Sequence, residues 1–366
     1  MIFTRYSPIA VHFGALDTRI LQLSGSGKRM AVTASHCVAA QGRSRQVAVA
    51  ENLAPRLKSL SLRGQDCAIG LSGQEISISL VPVDASSRSR LAQILQETAS
   101  RSVQDEEGVE FRCLPLNAVV AKDSPDQMRE EYLVFTMGNS DRRRCMTSLE
   151  ALKLRPISLE ASAFPVVRAL APTMKDADAP WGVLHLGFSH SLFSIVMNGE
   201  IRFLKQMHLS GERLLGTLHQ ALRDGETHTE DSARLAQMLT ASASSGEEME
   251  ASIGPALLPD IQRQAVGNAR VILQALKMEM EALSAEVRAC VRHFSNRHRG
   301  QQIQSIRLTG FGASLPEVEN AVCTAMTLET RIARPFTELC IKAPEEVLAE
   351  EHLWTIPLGL ALRNQA

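Results

Sequence analysis

The chain has 366 residues, of which 45% are hydrophobic and 22% charged, and a formal net charge of −1. That length suits two or three domains with ample core material. The balanced charge argues against a broad electrostatic surface for nucleic acid or anionic membrane, and no run approaches the roughly 20 apolar residues of a membrane helix.

The opening residues 1–24 lack the long apolar core and small-residue cleavage site of a secretory leader. Strand-like runs follow at 9–13, 19–23 and 30–35, separated by Gly14 and the Ser/Gly cluster at 24–27. A helix is expected near 45–57 and a strand pair at 66–71 and 75–81, and the whole reads as an antiparallel meander. Residues 86–101 have helical spacing, with Leu91, Ile94 and Leu95 on one face. With strands at 109–115 and 131–137 and a helix at 141–151, they form a small α+β insert. A strand at 155–159, a helix at 161–170 and a proline-bearing loop at 171–180 lead to a lobe boundary. Strands at 183–187, 193–197 and 201–206 come next, with Asn198-Gly199 as a strong hairpin signal. A helix is read at 210–222, a polar stretch at 224–257 and a long helix at 260–293. The chain then runs through a strand at 303–309, a glycine loop at 310–313, a helix at 317–326 and an apolar helix at 356–363.

Each half therefore opens with a strand, an H-x-G turn and a second strand, His12-Phe13-Gly14 in one and His185-Leu186-Gly187 in the other. Internal duplication speaks first to architecture. A glycine in such a turn lets backbone N–H groups approach a phosphate, and Gly310 and Gly312 give a later loop the same freedom or simply form an ordinary strand–helix turn. The seven cysteines are scattered and never paired as C-x-x-C, which fits reduced thiols in a cytosol and no structural zinc site. SGSGK at 24–28 lacks phosphate-loop spacing, and neither H-E-x-x-H nor G-x-S-x-G occurs. The basic run at 142–144 reads as a solvated helix face.

These hairpins, IRLTGFGASLP at 306–316, PLGLALR at 357–363, EVRACVRHF at 286–294 and the insert's exit at 148–170 resemble, in order and spacing, the PilM family of type IV pilus assembly proteins, relatives of FtsA. The resemblance implies an α/β, two-lobed actin-like (ribonuclease H-like duplicated) fold with a small α+β insert in the first lobe. The implied division is 1–82, 153–178 and 340–366 for the first-lobe core, 83–152 for the insert, 179–206 and 300–339 for the second-lobe core, and 207–299 for its helical subdomain. It also implies a nucleotide site at His12, Gly14, Arg19, His185, Gly187, Ser189, Arg288, Gly310, Gly312 and Ala313, with Glu160 near the cleft or simply a surface carboxylate at a strand end.

The chain departs from the pattern where the family holds its metal. The two D-x-G aspartates are here His12 and His185, whereas magnesium wants hard oxygen ligands. Ala15 and Leu16 stand where small polar residues would meet phosphate, and Arg19 stands where the family has a lysine. Either the site has decayed, or the histidines bind phosphate as cations or take a softer metal. ATP is thus the implied ligand, with its binding in doubt, no magnesium, and no catalytic or metal-ligating residues assigned. Two functions compete. One is a cytoplasmic scaffold, peripheral at the inner membrane, that binds the cytoplasmic N-terminal peptide of a PilN-like partner between the first-lobe core and the insert. The other is an FtsA-type ATPase able to polymerise, which would want the magnesium ligands and a membrane-targeting C-terminal helix that 364–366 does not supply. A type II secretion platform protein is a third reading, and self-association is left open.

Overall fold

The computed structural model describes residues 5–39, 60–71, 73, 75–120, 128–176, 178–214, 216–217, 269–298, 300–314 and 318–364. The expected helix near 45–57 and the polar stretch at 224–257 lie outside these residues.

In the first lobe, β1 (Ile9–Phe13), β2 (Asp17–Ser24), β3 (Ala31–Ala39), β4 (Asp66–Leu71) and β8 (Arg155–Ala161) form a sheet in the order β3-β2-β1-β4-β8. β1 pairs antiparallel with β2 and parallel with β4, and β4 pairs parallel with β8. In the second, β9 (Trp181–Leu186), β10 (Ser191–Met197), β11 (Glu200–Met207), β12 (Ser305–Thr309) and β13 (Glu329–Ile332) repeat that plan as β11-β10-β9-β12-β13. Asn198 (φ 54°) and Gly199 (φ 72°) make the primed turn of the second lobe's hairpin. β13 was not read from the sequence: a four-residue strand shows too little alternation.

β5 (Ser77–Asp84), β7 (Met128–Gly138) and β6 (Val109–Val120) form a third sheet in the order β5-β7-β6. This corrects the expected meander. β4 pairs with β1 and β8, while β5 pairs with β7 inside the insert. Val81, Val83 and Val134 bury one face of the insert sheet beneath Leu95 and Ala99 of helix α1 (Leu91–Ser102). Leu133 and Phe135 bury the other face, where the Phe135 ring lies 5.1 Å from that of Phe164 on α3 (Ala163–Leu170).

Helix α2 (Asn139–Ala151) does not stay with the insert. Its Cys145 and Leu149 pack with Ile9, Val11 and Ile69, covering one face of the first sheet. On the second lobe, Leu283, Val287 and Phe294 of α4 (Ala269–Arg297) and Val322 of α5 (Val318–Met326) cover Leu184, Phe193 and Leu308. After α6 (Pro335–Glu338) and α7 (Glu345–Ala349), the closing helix α8 (Thr355–Ala361) and α3 share one core with both sheets, joining Ala10, Leu21 and Ala68 to Trp181, Val183 and Leu192. Central strands covered on both faces read as continuous apolar runs, which is why they were legible.

Candidate site at the paired hairpins

Strand register lines up the first half of the site. Arg19 pairs with Cys37 across β2 and β3, His12 pairs with Arg19 and Gly70, and Gly70 pairs with Glu160 on β8. Facing residues of neighbouring strands share a face of the sheet, so Cys37, Arg19, His12, Gly70 and Glu160 form one lateral row. Gly70 permits it: a Cβ there would come within 2.9 Å of Ile356 on α8 and 3.4 Å of the His12 ring. The turn closes with the Gly14 N–H donating to the Asp17 carbonyl at 2.8 Å.

Asp17, two residues before Arg19, lies on the same face of β2 and is the residue the motif comparison missed. Arg19 Nε and Nη2 donate to its Oδ2 at 3.0 and 2.8 Å, and the Cys37 Sγ approaches the same oxygen at 3.5 Å. Arg19 is only 5% exposed, and its guanidinium carbon lies 5.0 Å above the Trp354 ring. Burial works against the charge of Asp17, but the Arg19 guanidinium outweighs it and holds the carboxyl below its usual range. Burial, with Asp17 beside it, pushes the Cys37 thiol up to about 12, so it stays protonated and can donate.

In the second half, His185 pairs with Leu192 and Thr309, so the duplicated row carries leucine where the first carries Arg19. His185 Nδ1 shares a 2.8 Å hydrogen bond with Thr309 Oγ1, and burial pushes its pKa down to about 4. The ring is therefore neutral near pH 7. Gly187 must lack a Cβ, since one there would sit 2.2 Å from the His190 carbonyl. Ser189 is partly exposed on the same turn. Gly310 takes φ +84°, and a Cβ there would come within 2.7 Å of the Leu186 carbonyl and 3.0 Å of His185 Nδ1. Gly312 and the buried Ala313 pack against Leu186 and the second-lobe core. The structure thus gathers Gly187, Gly310, Gly312 and Ala313 around His185.

The turn His352–Trp354 links the halves. The Gly310 N–H donates to the His352 carbonyl at 3.1 Å, while Trp354 lies under Arg19. Burial, reinforced by Arg19 and Arg334, pushes the His352 imidazole down to about 4. The lobes also meet where a Cβ on Gly73 would come within 2.5 Å of the His190 ring. Nothing in the local sequence marks His352 or Trp354; they arrive through the packing of α8.

Two further residues named from the resemblance, Arg288 and Glu160, differ in burial. Arg288 is exposed on α4, whereas Glu286, two positions earlier, accepts the His208 N–H at 3.0 Å and pairs with Lys205 at 2.9 Å. Glu160 is not a surface carboxylate. It is 8% exposed, accepts from Arg168 at 2.7 Å, and pairs with Arg363 of the closing segment.

Residues 270–365 match the family model described as type IV pilus assembly protein PilM. No curated protein matches the chain by sequence. Among solved structures, a "PilM-PilN type IV pilus biogenesis complex" superposes with a TM-score of 0.67 at 14% identity, over 98% of this chain and 99% of that one. MreB 5 of Spiroplasma citri bound to AMPPNP gives 0.48 at 8% identity, over 98% and 96%. The cytoplasmic domain of EpsL, an inner-membrane component of the type II secretion system of Vibrio cholerae, gives 0.35 at 16%, over 58% and 75%. The chain has the actin-like ATPase fold of PilM throughout, and its C-terminal quarter carries the PilM sequence pattern.

Proposed function

We propose that this chain is a PilM-like scaffold on the cytosolic side of a type IV pilus or related assembly platform. In this reading it captures a short cytoplasmic peptide of a PilN-like inner-membrane partner, and its nucleotide site has lost its magnesium chemistry. The observation that carries the reading is the likeness of fold over essentially the whole of both chains to the PilM of a PilM–PilN complex. No described helix is long and apolar enough to cross a membrane; in the proposed reading the partner supplies the attachment.

The cleft residues do not fit a magnesium–nucleotide complex. Magnesium takes oxygen donors in near-octahedral geometry. The two positions at the strand ends offer imidazole nitrogen, and that of His185 is engaged with Thr309. The Arg19 cation is already neutralised by Asp17. Arg19 and Asp17 neutralise each other, His185 is held by Thr309, and the His352–Trp354 turn touches both halves, a use of the cleft that needs no turnover.

For the peptide, the groove between the first-lobe core and the insert is supported by the position of β5. Its lead-in residue Ile76 and its Ile78 pack on the first-lobe core, while Leu80 is 41% exposed on this edge strand. An edge strand can accept an extended peptide by main-chain pairing. Titration calorimetry with the partner's N-terminal cytoplasmic peptide tests this. Binding should weaken about tenfold in Leu80→Glu. Unchanged affinity in that variant would remove the groove from the proposal.

A further inference from the structure

At the opposite end of β1 from His12, the first lobe carries a groove of about 640 Å3 that the hairpin chemistry does not use. Two of its lining residues, Ser7 and Arg63, are tied together by a buried side chain behind them. Gln22, 0% exposed, donates from Nε2 to the carbonyls of Ser7 at 3.0 Å and Arg63 at 2.7 Å, and its Oε1 accepts the Arg63 N–H at 2.8 Å. One amide thus staples both walls of the groove to β2.

The walls are cationic and apolar. Arg5, Arg63 and Arg155 line the groove, and among the described lining residues the one carboxylate is Asp66, which accepts from Arg155 Nε at 2.6 Å. Tyr6 and Ile157 are 38% and 41% exposed there. The register of β8 slips at Ile157: Cys67 pairs with Pro156 and Ala68 with Ser158, leaving Ile157 as an extra residue on an edge strand. Such bulges re-aim a side chain and blunt an edge against indiscriminate pairing. Here the bulge turns an isoleucine outward beside three guanidinium groups, in a chain whose overall charge is −1.

We propose that this groove is a second docking seat, separate from the insert, for a short extended acidic peptide that carries an apolar side chain. Its carboxylates meet Arg5 and Arg63 through charge-assisted hydrogen bonds, and its apolar side chain packs on Ile157 and Tyr6. The volume falls within the roughly 300–1,000 Å3 of ligand clefts. A membrane surface is the poorer fit, because anionic lipid recognition draws on clusters of about 4–8 basic residues and three arginines line this groove.

Fluorescence anisotropy with three labelled decapeptides tests the proposal, each with the same pair of leucines and otherwise acidic, neutral or basic. Phosphatidylcholine–phosphatidylserine vesicles form a parallel arm. The acidic peptide should bind tightest and weaken with salt, and Arg63→Glu should lower its affinity about tenfold. Ile157→Ser should lower it about fivefold. Leu80→Glu, on the insert, should leave it unchanged, which keeps this seat distinguishable from the PilN-like one. Arg5→Glu serves as a second charge reversal, since both side chains are exposed and outside the core. Affinity indifferent to peptide charge or to both reversals, absence of peptide binding, or binding to vesicles alone would overturn the proposal.

Discussion

At the scale of single residues, the cleft is governed by compensation of buried charge. Removing one member of a buried ion pair strands the other, at a cost of about 3–5 kcal/mol. Arg19→Ala should therefore destabilise by that amount in urea, because Asp17 loses its cation. Arg19→Met combined with Asp17→Leu should recover most of the loss, and a double as unstable as the single would show that the pair matters for some other reason. His352 makes a separate point about pH. Its folded pKa, about 4, lies below the ordinary 6.5, so the folded state favours the neutral ring. That contribution is fully present above 6.5 and is lost as pH falls from 6.5 towards 4, by up to about 3 kcal/mol. His185 adds a loss of the same sign. Urea titrations across that window should show stability falling with acid, with a shallower slope in His352→Gln.

At the scale of elements, the closing helix is held by one glycine. A Cβ on Gly359 would sit 1.8 Å from the Pro165 carbonyl of α3, and the Gly359 carbonyl accepts from Arg168 at 2.9 Å. Gly359→Ala should push α8 from α3 and cost about 3 kcal/mol or more in a denaturation curve. The insert is bounded differently from its sequence pattern. β5 belongs to the insert sheet and α2 to the first-lobe core, so excision of 77–138 with a short linker should leave a folded though weakened chain. Excision of 84–151 should not, because it strips Cys145 and Leu149 from Ile9, Val11 and Ile69. Circular dichroism and gel filtration of both variants separate the cases. The insert also reaches the second lobe: Glu131 of β7, 8% exposed, pairs with Arg297 at the end of α4 at 2.7 Å.

At the scale of the molecule, two sheets of the same strand order enclose α3 and α8, and the hairpins meet the closing segment between them. A ligand that binds only the folded state raises stability by about 2.7 kcal/mol at a hundred times its Kd. We expect magnesium–ATP to leave the melting temperature unchanged. A rise of several degrees that depends on magnesium would overturn the proposed loss of metal chemistry and favour the ATPase reading. His12→Asp with His185→Asp is the matching gain-of-binding variant, and its failure to gain affinity is expected if the Asp17–Arg19 pair also blocks the phosphates.

The sequence alone determined the duplication, because apolar runs of strand length, glycine turns and the Asn198-Gly199 hairpin are local signals that depend little on distant partners. That Gly187, Gly310, Gly312 and Ala313 belong to one site came from the family resemblance and not from any local pattern. Only the tertiary structure decided which strands pair, since β4 and β5 are equally strand-like and parallel pairing is settled by a remote partner. It alone brought Trp354 beneath Arg19 and the His352 carbonyl to Gly310, and buried Glu160 between Arg168 and Arg363. Burial and charge pairing are sums over neighbours far apart in the chain, and no local pattern of residues records them.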